Sequence, residues 1–281
     1  MKKKYLVLSL TVLILCMLFT VSGCAHPFVL TMDKASEANT IAHLLDKYKT
    51  VTYAQLDYIG GNTIHATYLK EESGICCIED DYDYSGYRTD SMVFSREKGA
   101  SSYHLTVTKN PYVSDYMFVV PGGTFTSQTI DVSGNLVCEA EAGISQEYAE
   151  QLAEVWKVTT KDKMITTTVF AADDFRVLSI DFSIRHPDGT DLRIASGVLL
   201  YDQEVSYTDA VKDYLNSPKL TVSVEMEDGR VRTVQIPEGI SFTWECDDGY
   251  VLYSDKEGEH PLKEKVDSVK SDLTFYCMVK K

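Results

Sequence analysis

The sequence predicts a mainly β, α+β protein, and three observations lead to that fold class. The chain is rich in residues that favour strands, including 18 tyrosines among 281 residues. Short runs with apolar and polar residues in alternation recur along it, separated by turn residues such as those of the segment 186–189. Only three stretches show the 3.6-residue period of a helix. Sheets therefore dominate, and few helices cover them.

The N-terminal segment has the features of an export signal. Lys2, Lys3 and Lys4 precede an apolar run over residues 5–21, whose length falls between those of a signal peptide and a membrane-spanning helix. The residues that end the run decide between these readings, because Val21-Ser22-Gly23-Cys24 resembles the bacterial lipobox. That resemblance implies that residues 1–23 are a lipoprotein signal peptide, removed just before Cys24. The alternative is an uncleaved anchor, which also places the rest of the chain outside the cytoplasm.

The lipobox resemblance implies a diacylglycerol on the thiol of Cys24. Two acyl chains anchor a protein stably where one does not, so we expect the chain on the outer face of the cytoplasmic membrane, with residues 24–35 as a tether. Loss of three leader lysines changes the formal net charge from −15 to −18. So acidic a protein is not expected to bind nucleic acid, whose affinity depends on cations that neutralise phosphates.

A first region over residues 36–216 is predicted to begin with a helix. Ser36 is a suitable N-cap, and Ile41, Leu44, Leu45 and Tyr48 share one face of a helix over residues 36–48. An apolar face of this kind must be covered. The strands that follow can supply the cover, since each alternating strand offers one apolar face and a long sheet twists and curls.

The remaining elements of the first region are predicted from alternation and turn residues. Strands are expected at 51–59, 63–69, 91–95, 103–108, 126–132, 136–140, 156–160, 164–170, 175–184 and 192–201. Two further helices are expected at 145–154 and 208–215. The element order resembles the lipoprotein-carrier superfamily over residues 36–205. The resemblance implies a curved, incomplete β-barrel: a half-barrel sheet that wraps around helices and leaves an apolar cavity for acyl chains. This chain departs from the sorting chaperone of that family, which is soluble and has no lipobox.

A turn-rich junction at 216–218 introduces a second region over residues 218–281. Strands are predicted at 220–226 and 231–236, joined by Glu227-Asp228-Gly229, and at 273–279. The order Pro237-x-Gly239, Phe242, Trp244, Asp248-Gly249-Tyr250, Pro261-Leu262 and Ser271-Asp272-Leu273 resembles the internalin B-type repeat. That resemblance, over residues 219–281, implies a small β-grasp-like domain that acts as a spacer or adhesion module. Only one copy is present, whereas stalks need several.

Five cysteines remain beyond Cys16 of the leader and Cys24. Their odd number excludes a fully paired disulfide framework, and their spacing matches no zinc motif. Cys76 and Cys77 would point to opposite faces of a strand. We read most of these residues as small buried apolar side chains, with a Cys246–Cys277 bridge as an open alternative.

No residue pattern predicts catalysis, a cofactor or a metal ion. The acidic cluster Glu79, Asp80, Asp81 and Asp83 lacks the spacing of an EF-hand loop, so we read it as a solvated loop. No Gly-x-Ser-x-Gly turn is present, and Cys138 lies in an apolar strand context. The six histidines, at positions 26, 43, 65, 104, 186 and 260, form no zincin motif.

Tyrosine clusters offer the one remaining candidate surface. They comprise Tyr82, Tyr84 and Tyr87, and then Tyr112 and Tyr116. Tyrosine can line a ligand site, but ordinary half-buried packing in sheets and loops is the favoured explanation of such clusters. Two hypotheses follow for a non-catalytic, membrane-anchored protein. The first is binding of a lipid or another apolar ligand, and the second is a structural or adhesion module with a packed first domain that contacts a cell-surface partner.

Overall fold

The structure is a computed structural model. It describes residues 30–58, 61, 63–72, 74–80, 84–97, 100, 102–108, 113–119, 124–146, 149–150, 157–205, 207, 209–262 and 265–280. Contacts divide the chain into two compact units, Met1–Thr31 and Met32–Lys281, and all the described helices and strands lie in the second. Cys24, the leader and most of the predicted helix at 145–154 lie outside the described residues. No helix in the described part is long and apolar enough to cross a membrane.

The predicted fold class is confirmed, because the protein is mainly β, with 53% strand and 10% helix. Three helices are described: α1 (Met32–Ala38), α2 (Ile41–Leu45) and α3 (Asp209–Asn216). Strands β1 to β6 are Thr50–Asp57, Thr63–Glu71, Gly74–Asp80, Tyr84–Thr89, Met92–Glu97 and His104–Val107. Strands β7 to β11 are Thr124–Ile130, Leu136–Gly143, Lys163–Phe170, Val177–Arg185 and Asp191–Tyr201. Strands β12 to β17 are Lys219–Met226, Val231–Pro237, Ser241–Trp244, Tyr250–Tyr253, Lys265–Val266 and Leu273–Val279.

Two sheets organise these strands. The large sheet has thirteen described strands in the order β16-β14-β6-β5-β4-β3-β2-β1-β11-β10-β9-β8-β7. Its neighbours are antiparallel except for β6 and β14, which run parallel. The small sheet has the order β13-β12-β17-β15, with β12 parallel to β17. A parallel pair needs a long connection rather than a tight hairpin, so neither parallel pairing follows from local turn signals.

The hairpins that the sequence predicts with clear turns are present. They pair β1 with β2, β7 with β8, β10 with β11 and β12 with β13. Helix α3 and strand β17 are also where the sequence predicts them. Five strands were not predicted from the sequence, because they are short or mix polar and apolar residues: β3, β4, β14, β15 and β16.

The strand predicted at 156–160 and the end predicted for the tether are both wrong. The predicted strand at 156–160 is not seen in its described part, because Lys157 has a φ of 55° and the Asp162 carboxylate accepts hydrogen bonds from the Thr159 backbone and hydroxyl to form a turn. The turn replaces the ladder that a strand would need. The tether predicted over residues 24–35 also ends too late, since α1 begins at Met32.

The predicted helix over 36–48 is in fact two helices, so Ser36 lies inside α1 and is not an N-cap. The side chain of Asn39 is fully buried and binds the carbonyls of Ala35 and Phe175 and the N–H of Val177. Thr40 then caps α2 by accepting from the His43 N–H. These hydrogen bonds hold residues 39–40 out of the helix, because a buried polar side chain must be satisfied.

One hydrophobic core spans the junction that the sequence predicts at 216–218. Phe242 and Trp244 of β14 extend the large sheet beyond β6, next to Leu105 and Val107. The same buried cluster contains Leu69, Ile78, Tyr87, Phe94, Val222, Ile236, Phe275 and Cys277. Residues on both sides of the junction therefore complete one core, inside a compact unit that is undivided from Met32 to Lys281.

Candidate binding cleft

An open cleft of about 730 Å³ lies between the large sheet and the edge of the small sheet. This volume is within the range of ligand sites. We call it the β13 cleft, because four consecutive residues of β13 line it. Its lining residues are Glu71, Gly74, Ile75, Tyr87, Thr89, Asp90, Ser91, Met92, Tyr214, Leu215, Arg232, Thr233, Val234 and Gln235.

The floor of the β13 cleft is rigid and aromatic. Tyr214 of α3 stacks on Tyr87 at 5.1 Å between ring centroids and lies 5.0 Å from the ring of Phe94. Its hydroxyl donates to the sulfur of Met92 at 3.5 Å. Aromatic rings at these separations attract each other beyond the burial of their area. Helix α3 is thereby fixed against β4 and β5.

Arg232 ties β13 to the large sheet. Its Nη2 donates to the carbonyls of Ser91 at 3.1 Å and Thr108 at 2.8 Å. Its guanidinium also lies 5.2 Å from the centre of the Trp244 ring. Burial lowers the pKa of Arg232, but the group remains a cation at neutral pH. Its charge is held by carbonyl dipoles and an aromatic face, so Arg232 acts as a clamp between the sheets.

Strand β13 presents a backbone edge to the cleft. It is the outer strand of the small sheet, and its hydrogen-bonded pairing with β12 includes Arg230 opposite Met226 and Glu238 opposite Pro218. Pairing in an antiparallel ladder alternates, so Thr233 and Gln235 point their N–H and C=O groups away from β12. Four consecutive residues line the cleft, as expected of a strand that offers its edge rather than one face.

Two carboxylates lie on the large-sheet wall of the cleft. Glu71 accepts a hydrogen bond from the Tyr87 hydroxyl at 2.9 Å, and Asp90 accepts one from the Ser114 N–H at 3.0 Å. Next to them, burial, followed by the charge of Glu71, raises the pKa of Cys76 to about 12. That thiol is protonated at neutral pH and is a poor nucleophile. The wall can therefore bind cations or amides but lacks an activated sulfur.

The region under helix α2 is filled by its own aromatic side chains. Helix α2 packs against β1 and β2, and its start is held by the N–H of Ile41 on the Tyr116 carbonyl. The rings of Tyr53, Tyr68, Tyr116 and Phe118 form the aromatic layer, with centroid separations of 5.3 to 6.0 Å. Close packing of this kind leaves little space for a ligand among these residues.

A glycine makes room for the aromatic layer. A Cβ at Gly197 of β11 would lie 2.3 Å from Cε2 of Tyr53 and 2.6 Å from its hydroxyl oxygen. Real Cβ atoms do not approach so closely, so the Tyr53 ring occupies the space that a side chain at Gly197 would take. The ring is buried, with 7% of Tyr53 exposed, and its hydroxyl donates to Gln55. The fit is therefore made by a small residue beside a large one.

The tyrosine clusters singled out in the sequence separate in space. Tyr87 forms part of the cleft floor, whereas Tyr116 belongs to the aromatic layer. Tyr82 and Tyr112 lie outside the described residues, as do Asp81 and Asp83 of the acidic cluster. Glu79 of that cluster forms an ion pair with Arg88 at 3.1 Å. The clusters thus serve packing in part, and no pattern in the sequence predicts that Tyr87 lines the same cleft as β13.

The histidines with described hydrogen bonds have local roles. His104 lies between the hydroxyls of Ser241 and Thr243, at 3.0 and 2.9 Å, and thereby fastens β6 to β14. Burial, with the nearby charge of Lys265, lowers the pKa of His104. His186 pairs with Asp162 at 2.8 Å in a turn. Within the described part of the chain, no three His, Cys, Asp or Glu side chains come together in a group that could hold a metal ion.

Comparison with known proteins adds no assignment. No protein family's sequence model matches the chain, and no curated protein is significantly similar to it. The resemblances to the lipobox, to the lipoprotein-carrier superfamily and to the internalin B-type repeat therefore stay predictions. The β13 cleft was not predicted from the sequence, although one signal was available: Arg232 occupies an inward position of β13, in alternation with Val234 and Ile236.

Proposed function

We propose that the chain is a lipid-anchored extracytoplasmic protein that binds an extended segment of a partner polypeptide in the β13 cleft, without turning it over. The observation that carries the proposal is the edge of β13, which offers the backbone groups of Thr233 and Gln235 to an open cleft. A peptide can add to such an edge as a further strand, with main-chain hydrogen bonds for affinity and side-chain contacts for selectivity.

The partner segment is proposed to be cationic. Glu71 and Asp90 stand on the wall opposite β13, and the mature chain carries a net charge of −18 after loss of the leader lysines from −15. The guanidinium of Arg232 is neutralised in part by two carbonyl oxygens and the face of an indole ring. It therefore repels a bound cation less than a free guanidinium would. Complementary charge raises association rate and selectivity more than final affinity.

An apolar ligand fits the described residues less well. The space under α2 is occupied by the aromatic layer, and the β13 cleft combines apolar Ile75 and Met92 with carboxylates and amides. A fatty acyl chain would exclude water from those polar groups and offer them no new hydrogen bonds, which costs free energy. Binding without chemistry is favoured because Cys76 is protonated and both ring nitrogens of His104 are engaged by hydroxyls.

The test is backbone hydrogen exchange with a defined probe. We expect a peptide of alternating lysine and valine residues to slow the exchange of the Thr233 and Gln235 amides in a saturable manner. Thr233→Pro should abolish this protection, because proline removes the outward N–H while the bonds to β12 are made by its neighbours. The affinity for the peptide should fall by about tenfold or more. This is the effect expected when one hydrogen bond is lost and the proline ring prevents the peptide from pairing along β13.

The matched control is Ile130→Pro. Ile130 lies on β7, an edge strand of the large sheet. Its backbone N–H also points away from the strand that β7 pairs with. This variant should bind the peptide like the wild type. Absence of protection at millimolar peptide would refute the proposal. Saturable binding of a fluorescent fatty acid that Thr233→Pro leaves unchanged would instead support a lipid ligand.

We also propose the anchor at Cys24. Support comes from the lysines of the leader, its apolar run and the four residues that resemble a lipobox. Cys24→Ala should abolish incorporation of labelled palmitate and leave the precursor uncleaved, whereas Cys16→Ala should change neither. Wild-type labelling in the Cys24→Ala protein would contradict the assignment, without bearing on the peptide-binding proposal.

Two finer features of the fold belong with this proposal. We infer that the large sheet is a curved half-barrel around α1 and α2. The packing of α2 on β1 and β2, which lie near the middle of that sheet, supports this inference. We further infer that residues 219–281 contain a β-grasp-like module. The mixed four-stranded sheet with β12 parallel to β17 supports this inference.

A further inference from the structure

Two cysteines meet where the large and small sheets join. Cys246 comes two residues after β14 of the large sheet, and Cys277 lies in β17 of the small sheet. Their sulfur atoms are 3.4 Å apart, and both residues are free thiols in the structure. A disulfide bond is about 2.05 Å long, so a small rotation of the side chains would bring the sulfurs to bonding distance.

We propose that Cys246 and Cys277 form a disulfide in the mature protein and thereby link the two sheets covalently. The proposal rests on the extracytoplasmic location proposed above, because disulfides persist outside the reducing cytoplasm. The other three cysteines that the structure describes offer no competing pair. Cys76 and Cys77 are neighbours in β3 and point to opposite faces of the sheet, and Cys138 lies on β8, six strands away from β3.

The reaction is thiol–disulfide exchange with an external disulfide, such as that of an oxidoreductase or oxidised glutathione. The thiolate of one cysteine attacks a sulfur of the oxidant, forms a mixed disulfide and releases one oxidant thiolate. The thiolate of the second cysteine attacks the protein sulfur of that mixed disulfide. The Cys246–Cys277 bond then forms, the second oxidant sulfur leaves as a thiolate, and the two protons of the protein thiols pass to the reduced oxidant.

Burial determines when this exchange can occur. It raises the pKa of Cys246 to about 12 and also raises that of Cys277, so few thiolates exist in the folded protein at neutral pH. We therefore expect fast oxidation while the chain folds and slow oxidation once the core has closed. The bond, once formed, is protected from reductants by the same burial.

The link has a consequence for the β13 cleft. Strand β17 pairs with β12, which in turn pairs with β13, and β14 pairs with β6 of the large sheet. A bond from Cys277 to the end of β14 would therefore limit movement of β13 relative to the wall that carries Asp90. Closing a loop of 31 residues also reduces the freedom of the unfolded chain.

The experiment uses the full mature protein from an exporting host. Intact mass without reductant should be two hydrogen masses below that of the reduced protein, and peptide mapping should recover Cys246 joined to Cys277. Reduction should lower the melting temperature by roughly 10 °C. Cys246→Ser should have the lower melting temperature with or without reductant, whereas Cys138→Ser should keep the response of the wild type.

Refolding of the reduced protein with oxidised glutathione tests the proximity of the two thiols separately from the location of the protein. If the bond forms in refolding but not in the exporting host, the two thiols are close enough to bond. The proposal for the mature protein would still be overturned, because the chain would not reside in an oxidising compartment. Alkylation of both cysteines after both procedures would overturn it outright. If Cys246→Ser fails to fold, mapping of the wild type still decides, since it needs no variant.

Discussion

The aromatic layer and the β13 cleft use the same large sheet in opposite ways. Under α2, Tyr53, Tyr68 and Phe118 fill the available space, with Gly197 supplying room for a ring. At the cleft, the second layer is an edge strand held at a distance by the Arg232 clamp. One region is filled by aromatic side chains, and the other is a concave surface open to water.

Burial of a sheet face therefore depends on what covers the face rather than on the sheet itself. A short helix and a loop segment can settle onto aromatic rings until no gap remains, because side-chain packing is not limited by a backbone ladder. A second sheet keeps its own hydrogen-bonded geometry, so its edge cannot collapse onto the wall. Polar side chains such as Glu71 and Asp90 then line the gap.

The largest expected effect tests whether the cleft side is one cooperative core. Phe242 is fully buried, and its ring lies 6.0 Å from that of Phe275. Phe242→Ala should lower the free energy of unfolding by about 3–5 kcal/mol. Chemical denaturation should show one transition, shifted as a whole. Val231→Ala, at a position 61% exposed, should shift it by less than about 0.5 kcal/mol. Two transitions, of which only one moves, would show that residues 219–281 fold separately.

An intermediate effect sharpens the account of the aromatic layer. Gly197→Ala places a methyl group in the space of the Tyr53 ring, so we expect a loss of about 1–3 kcal/mol in the free energy of unfolding. Gly143→Ala is the matched control, because Gly143 also lies in a strand and a Cβ there would meet no atom within 4 Å. Equal stability of the two variants in thermal denaturation would show that the layer has room to spare.

The smallest effect concerns acid sensitivity at Asp174, in the turn between β9 and β10. Burial would raise the pKa of Asp174, but hydrogen bonds from Tyr48 and Arg176 outweigh it and lower the pKa below 3.8. A lowered folded pKa contributes stability that is present above the unfolded value and is lost as pH falls through the folded value. Asp174→Asn should therefore flatten the decline in stability below about pH 4.

Equilibrium unfolding of both proteins between pH 6 and pH 3 measures this difference. The gap between wild type and Asp174→Asn should be widest near neutral pH and should shrink as the wild-type carboxylate takes up a proton. Parallel curves would mean that Asp174 has the same affinity for protons in the folded and unfolded chains.

Local features of this chain could be read from its sequence. Strong turns gave the β12–β13 and β10–β11 hairpins, since the strands concerned are adjacent in sequence and alternate cleanly. The break between α1 and α2 could not be read, because Asn39 acts through partners 136 and 138 residues away. The cleft could not be read from the sequence either, because it depends on how β13 packs against the wall formed by β3 to β5.

The mainly β fold class, most hairpins and the residues of the predicted lipid attachment signal at Cys24 can all be read from the amino-acid sequence. These depend on composition, alternation and short motifs, each contained within a few residues. The tertiary structure alone decided that β14 joins β6, that Gly197 receives Tyr53 and that Cys246 meets Cys277. Each of these contacts joins distant segments, and its free energy arises only when the whole core closes, so no local pattern records it.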